Sequence, residues 1–217
     1  MMKNKFSPRV LVFDFDGVIV DSNRLKRDAW FSLFGEKDLM SPELIEEALV
    51  VAKAPRQAIL RYLFEKQGRD TSTIPALVAA YSNRYDEVVQ EGLLAQGVAV
   101  PVRQALAALG ERHTLYVNSA TPEDALNHSI ERLGMVPFFR GAYGMPRDKY
   151  ENLKRIAEAE TVQADTMLFI GDGESDWEAA KTFGCPFVGV SNEQNNWDNM
   201  SFPLLSSVTE LPSLLST

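Results

Sequence analysis

Cysteine is almost missing from this 217-residue chain: Cys185 is the only one, so no intrachain disulfide can form. Set between Gly184 and Pro186 ahead of an apolar run, it reads as a small buried side chain rather than a nucleophile. A reducing compartment fits this, and we expect the protein in the cytoplasm. Long apolar runs are lacking as well. Nowhere do about 18 consecutive apolar residues occur, and residues 1–8 are polar without the apolar centre of a secretion signal. Neither a membrane partner nor secretion is expected. Basic charge is also short, with 22 Lys and Arg against 30 Asp and Glu, a net charge of −8. That balance argues against a nucleic-acid partner held by phosphate neutralisation. A small anionic ligand stays compatible if a lysine, helix N-termini or a metal ion supply local positive charge.

What is present is an ordinary globular composition, 45% hydrophobic and 24% charged, enough for one cored domain and a smaller insert. Short apolar runs at residues 9–13, 114–118, 141–143, 166–170 and 186–190 read as strands. Helical patterns lie between them at residues 102–111, 122–133, 147–159 and 174–183. Apolar strands alternating with amphipathic helices predict an α/β fold, a doubly wound parallel sheet of the Rossmann-like kind. From residue 22 to 97 no strand is legible, only helical patterns at 23–33, 42–51, 55–66 and 73–90. We therefore expect a core of residues 1–21 and 98–217 and an inserted α-helical subdomain, 22–97, with hinges near Asp21-Ser22 and Gly97-Val98-Ala99. After Val190 the chain is polar, and residues 206–215 read as a short closing helix interrupted by Pro212.

Chemistry concentrates where the first strand ends. Val10-Leu11-Val12-Phe13 runs into Asp14-Phe15-Asp16-Gly17-Val18, delivering two carboxylates to the carboxyl edge of the sheet, where open α/β sheets bind ligands. Two acids so close need a cation between them or a shared proton. Leu115-Tyr116-Val117-Asn118-Ser119-Ala120-Thr121 is a strand ending in hydroxyls, followed by Pro122-Glu123-Asp124, a helix start with Thr121 as its expected cap. Lys149 opens a helix after Gly144-Met145-Pro146-Arg147-Asp148. Met167-Leu168-Phe169-Ile170-Gly171-Asp172-Gly173-Glu174-Ser175-Asp176 is an apolar strand, a glycine turn and two acids four apart.

These four motifs, in this order across about residues 9–190, resemble the haloacid dehalogenase superfamily, and in particular its members with an inserted helical cap, the phosphoglycolate phosphatase and beta-phosphoglucomutase-like subgroup. The lysine motif departs from the usual Lys-Pro pair, since the proline here precedes the lysine. The resemblance implies Asp14 as nucleophile forming an aspartyl-phosphate, and Asp16 as the acid and base. It implies Ser119 and Lys149 as catalytic holders of the phosphoryl group, with Gly17 and Ala120 beside it. Asn118 would touch the nucleophile or the substrate, and Arg147 is the reserve for Lys149. Mg²⁺ would be held by Asp14, the backbone carbonyl of Asp16, Asp172 and, through water or from behind, Asp176. In the insert, Lys53 and Arg56 are the candidates for contacting an anionic leaving group, whereas Trp30 reads as packing.

The expected function is a Mg²⁺-dependent phosphatase for a small phosphorylated metabolite, the protein being a monomer or homodimer. The alternatives are a hexose-phosphate mutase of the same superfamily and a non-catalytic phosphate-binding protein. A mutase would carry a histidine four residues before the tryptophan, where Lys26 stands before Trp30; a dehalogenase would lack Asp16; a binding module would have lost one of Asp14, Asp16, Lys149 or Asp172.

Overall fold

Residues 8–35, 38–52, 55–191, 197 and 200–216 are described by the computed structural model. In chain order the elements are β1 (Val10–Phe13), α1 (Ser22–Ser32), α2 (Pro42–Val51), α3 (Arg56–Lys66), α4 (Ile74–Gln96), α5 (Val100–Gly110), β2 (Thr114–Pro122), α6 (Glu123–Arg132), β3 (Gly141–Met145), α7 (Lys149–Glu160), β4 (Met167–Gly171), α8 (Glu174–Phe183), β5 (Phe187–Val190), β6 (Leu204–Leu205) and α9 (Leu211–Leu215). The chain divides into two compact units, Met1–Asp21 with Gly97–Thr217, and Ser22–Gln96. Among the described residues no single helix is long and apolar enough to cross a membrane.

The first unit is an α/β fold around a six-stranded sheet ordered β3-β2-β1-β4-β5-β6, with parallel pairing throughout. All four residues of β1 are buried, as its unbroken apolar run requires of a central parallel strand. Val10 and Val12 pack with Leu153 and Ile156 of α7 and Ala179 and Ala180 of α8. The alternate residues Leu11 and Phe13 face the opposite side of the sheet. Asp148 caps α7 by accepting the N–H of Glu151 at 2.8 Å, and Gly184 ends α8 at φ 87°.

Several boundaries differ from the sequence reading. β2 runs to Pro122 because its pairing with β3 resumes at Pro122 and Met145 after a register shift, so Ser119–Thr121 bulge from an otherwise regular strand. α6 therefore starts at Glu123, and Pro122 precedes it with no side-chain cap. Pro212 sits in the first turn of α9, where it is tolerated, rather than interrupting a longer helix. Leu204–Leu205 adds a short edge strand that two residues are too few to announce.

The second unit is helical. Its α4 continues past the expected end at residue 90 to Gln96 because Gly92 serves packing rather than termination: a Cβ there would lie 2.3 Å from Leu25 Cδ1 of α1. Trp30 and Tyr85 pack with ring centroids 4.8 Å apart, and Phe34 stacks on Tyr81 at 5.3 Å. Trp30 is thus a packing residue.

Candidate active site

Strand order places β2 and β3 on one side of β1 and β4 and β5 on the other. Such a reversal leaves a crevice beyond the carboxyl ends of the strands. Asp14 follows β1 and Asp172 follows β4, with the N–H of Asp14 donating to the carbonyl of Ile170 at 2.8 Å. The two acids are therefore fixed by the ladder between the two strands. Asp176 comes from the first turn of α8, its Oδ2 accepting the N–H of Gly173 at 3.0 Å.

Lys149 reaches in from the first turn of α7. Its ammonium lies 3.0 Å from Asp14 Oδ2 and 2.5 Å from Asp176 Oδ1, and all three residues are at least nine-tenths buried. Burial works against the ammonium, but Asp14 and Asp176 outweigh it and hold its pKa above the ordinary lysine value. Burial, followed by the charge of Asp176, pushes Asp14 up to about 7 despite Lys149. Burial also holds Asp176 above the usual carboxylate range, against the pull of Lys149 and the Gly173 N–H. One oxygen from each of Asp14, Asp172 and Asp176 lies within 4.8 Å of the others. Three buried carboxylates so close together form an all-oxygen donor set, which suits a hard divalent cation.

The second carboxylate of the first motif sits just before a turn. Gly17 adopts φ 78° and donates to the carbonyl of Val20 at 2.8 Å, which takes Asp16 out of the line of β1. Asp16 Oδ2 accepts the hydroxyl of Thr121 at 3.0 Å. Thr121 is thus a partner of Asp16 and not the cap of α6. Ser119 is buried, and its Oγ accepts the N–H of Thr121 at 3.1 Å. A cleft of about 500 Å³ is lined by Ser119, Ala120, Arg147, Lys149 and Ser175 among others, with Ala120 exposed in it.

Three residues named from the sequence have the following surroundings. Asn118 is fully buried, and its Nδ2 donates to the carbonyl of Lys149 at 2.8 Å, not to the nucleophile. Arg147 is exposed, and Lys149 takes the place beside Asp14. Arg56 is engaged inside the helical unit, 2.8 Å from Asp86, 3.1 Å from the carbonyl of Ser82 and 4.3 Å from the Tyr85 ring centre. A guanidinium with three partners has little left for a ligand. Lys53 lies outside the described residues. The sequence reading missed Asn152, whose Nδ2 donates to Asn118 Oδ1 at 3.0 Å. Its signal was there: Lys149, Asn152, Leu153 and Ile156 share the buried face of α7, so Asn152 is a polar residue on an apolar stripe.

Comparison with known proteins agrees with this geometry. Residues 11–190 match the family model described as "Haloacid dehalogenase-like hydrolase". The phosphoglycolate phosphatase of Shigella boydii serotype 4 is 31% identical over 220 residues, covering 88% of this chain and 85% of that one. The structure of YfnB from Bacillus subtilis bound to magnesium superposes with a TM-score of 0.76 at 17% identity, over 97% of this chain and 99% of that one. CbbY from Rhodobacter sphaeroides in complex with phosphate gives 0.72 at 16% identity, over 97% and 100%. These two show a shared fold. With the model match spanning most of its length and the four motifs meeting at one crevice, the chain belongs to the haloacid dehalogenase-like hydrolase family.

Proposed function

We propose that this chain hydrolyses a small phosphorylated metabolite with Mg²⁺ as cofactor, and that phosphoglycolate is the first substrate to try. The chain is a phosphoric monoester hydrolase by its family and by its curated phosphatase relatives. The observation that carries the mechanism is Lys149 bridging Asp14 and Asp176 in a buried acidic cluster at the strand reversal.

An oxygen of ionised Asp14 attacks phosphorus, and the bond from phosphorus to the ester oxygen breaks. The leaving oxygen takes the proton of Asp16, which the Thr121 hydroxyl orients. Asp16 then takes a proton from water as the water oxygen attacks the phosphorus of the aspartyl-phosphate. Asp14 is released as carboxylate together with inorganic phosphate. Lys149 and Ser119 hold the phosphoryl oxygens, and the turn at Gly17 leaves room beside them. Asp14, the carbonyl of Asp16 and Asp172 would hold Mg²⁺, with Asp176 behind them. Bound there, the ion would supply the positive charge that lets Asp14 ionise beside a phosphate.

The test is phosphate release from a panel of phosphorylated metabolites, with and without Mg²⁺, using Asp14→Asn as control. Metal-dependent release that disappears in the variant is expected. No release by folded protein that binds Mg²⁺ would overturn the reading.

A further inference from the structure

We propose that Asn118 and Asn152 form a buried amide strut that sets the spacing between the Ser119 hydroxyl and the Lys149 ammonium, which makes both asparagines positioning residues for the phosphoryl site. This rests on the phosphatase reading for its consequence in turnover, but not for its geometry.

Both side chains are completely shielded from solvent. Asn118 is the last residue of β2 paired in register with β3 before the shift, and Ser119 follows it directly. Its Nδ2 donates to the carbonyl of Lys149 at 2.8 Å, tying the end of the strand to the first residue of α7. Asn152, one turn further along α7, donates its Nδ2 to Asn118 Oδ1 at 3.0 Å. Asn118 is thereby gripped at both ends of its amide by one helix, and the main chains carrying Ser119 and Lys149 cannot slide past one another. Asn152 also reaches the carbonyl of Gly144 at 3.5 Å, a looser contact to β3.

The strut is a poor device for stability alone. Asn152 Oδ1 is buried with no hydrogen-bond partner among the described residues. A buried amide with an orphaned acceptor is costly, and two apolar side chains of the same branched outline would not carry that cost. What apolar side chains cannot do is fix direction. Lys149 extends from its main chain to contact Asp14 and Asp176 at once, so a small shift of that main chain costs one contact or the other. Alignment of this kind is worth large factors in rate.

The experiment replaces the strut with apolar side chains, Asn118→Leu with Asn152→Leu, and reads three quantities. The ¹H–¹⁵N signal of the Lys149 ammonium, kept in slow exchange by burial and ion pairing, is expected to shift or vanish. The melting temperature is expected to stay within a few degrees of wild type. With phosphoglycolate, or the best substrate of the panel, kcat is expected to fall about tenfold or more while KM changes less than threefold. Should the doubly apolar chain not fold, Asn118→Asp keeps the shape and loses the donor to Lys149, and it is read in the same way. An unchanged ammonium signal, or an unchanged kcat in a folded variant, overturns the strut. A wild-type chain that releases no phosphate but whose ammonium signal moves in the variant overturns the phosphatase reading and leaves the strut standing.

Discussion

The Thr121 hydroxyl donates to Asp16 Oδ2 at 3.0 Å, so the loop that bulges from β2 holds the second carboxylate of the first motif. Asp16 is half-buried just ahead of the glycine turn. Thr121→Val keeps the shape and removes the donor. If Asp16 is the acid and base, kcat falls about tenfold, equivalent to about 1.4 kcal/mol of transition-state stabilisation. KM stays within twofold, since the loss is of orientation and not of substrate contact. Steady-state kinetics decide this, and equal kcat in the two proteins would remove Thr121 from the account.

Lys149→Met takes the one ammonium from between two buried carboxylates. We expect kcat/KM to fall by about 10² or more, because the lost charge faces the phosphoryl group. Stability at pH 8 should fall by roughly 3–5 kcal/mol, the usual cost of leaving buried charges unpaired. At pH 5.5 Asp14 can hold a proton, so the difference from wild type narrows. Urea titration at the two pH values measures it, and a loss independent of pH would contradict the cluster's charge balance.

How much of this was legible before the structure follows from what each residue signals locally. The hydrophobic period marks Asp14, Asp16, Lys149 and Asp172 as residues that end a strand or open a helix, whereas their roles come from the family resemblance. Thr121 was misread because Thr-Pro-Glu-Asp satisfies every local rule for a helix cap. The resumed pairing of Pro122 with Met145 overrides that rule and is invisible along the chain. Asn152 is visible as a polar residue on the apolar stripe of α7, but its partner Asn118, 34 positions away, leaves no trace in local spacing. The packing of Gly92 against Leu25 on another helix is equally illegible along the chain.

Asp14 also sets a pH dependence. Its folded pKa, about 7, is above the ordinary value of 3.8, so the folded chain binds this proton more tightly than the unfolded chain. Its contribution to stability is complete below about pH 4 and is lost as pH rises through about 7. For metal-free protein we expect wild type to lose roughly 1–4 kcal/mol across that window relative to Asp14→Asn. Mg²⁺ competes with the proton, so it should raise the melting temperature of wild type more at pH 8 than at pH 5.5. Calorimetry with and without the metal reads both effects. A Mg²⁺ shift equal at the two pH values would place the ion away from Asp14.

Arg56 is predicted to act through the stability of the helical unit. It bridges Asp86 and the Ser82 carbonyl and lies over the Tyr85 ring, so its charge is already engaged. Its side chain is 28% exposed and that of Asp86 57%, so screening keeps the ion pair weak. Arg56→Ala should cost about 1 kcal/mol, with KM unchanged within twofold. A raised KM without a change in melting temperature would return Arg56 to the role of substrate contact.

Gly171 is required by Asp176. A Cβ at position 171 would lie 2.3 Å from Asp176 Cβ and 2.4 Å from its Cγ, and the first of these no rotamer change can relieve, because the Cβ is fixed to the backbone of α8. Gly171→Ala must therefore push the start of α8 away from β4 and draw the Asp176 carboxylate off Lys149. Overpacking of this kind typically costs about 1–3 kcal/mol, and activity should be lost with the ion pair. Adding Asp176→Gly removes the clashing side chain, so the double variant should regain melting temperature relative to Gly171→Ala. It should not regain activity, because Lys149 then has only Asp14 to hold it. Recovery of both together would mean that Asp176 fills space beside Gly171 and does nothing for Lys149.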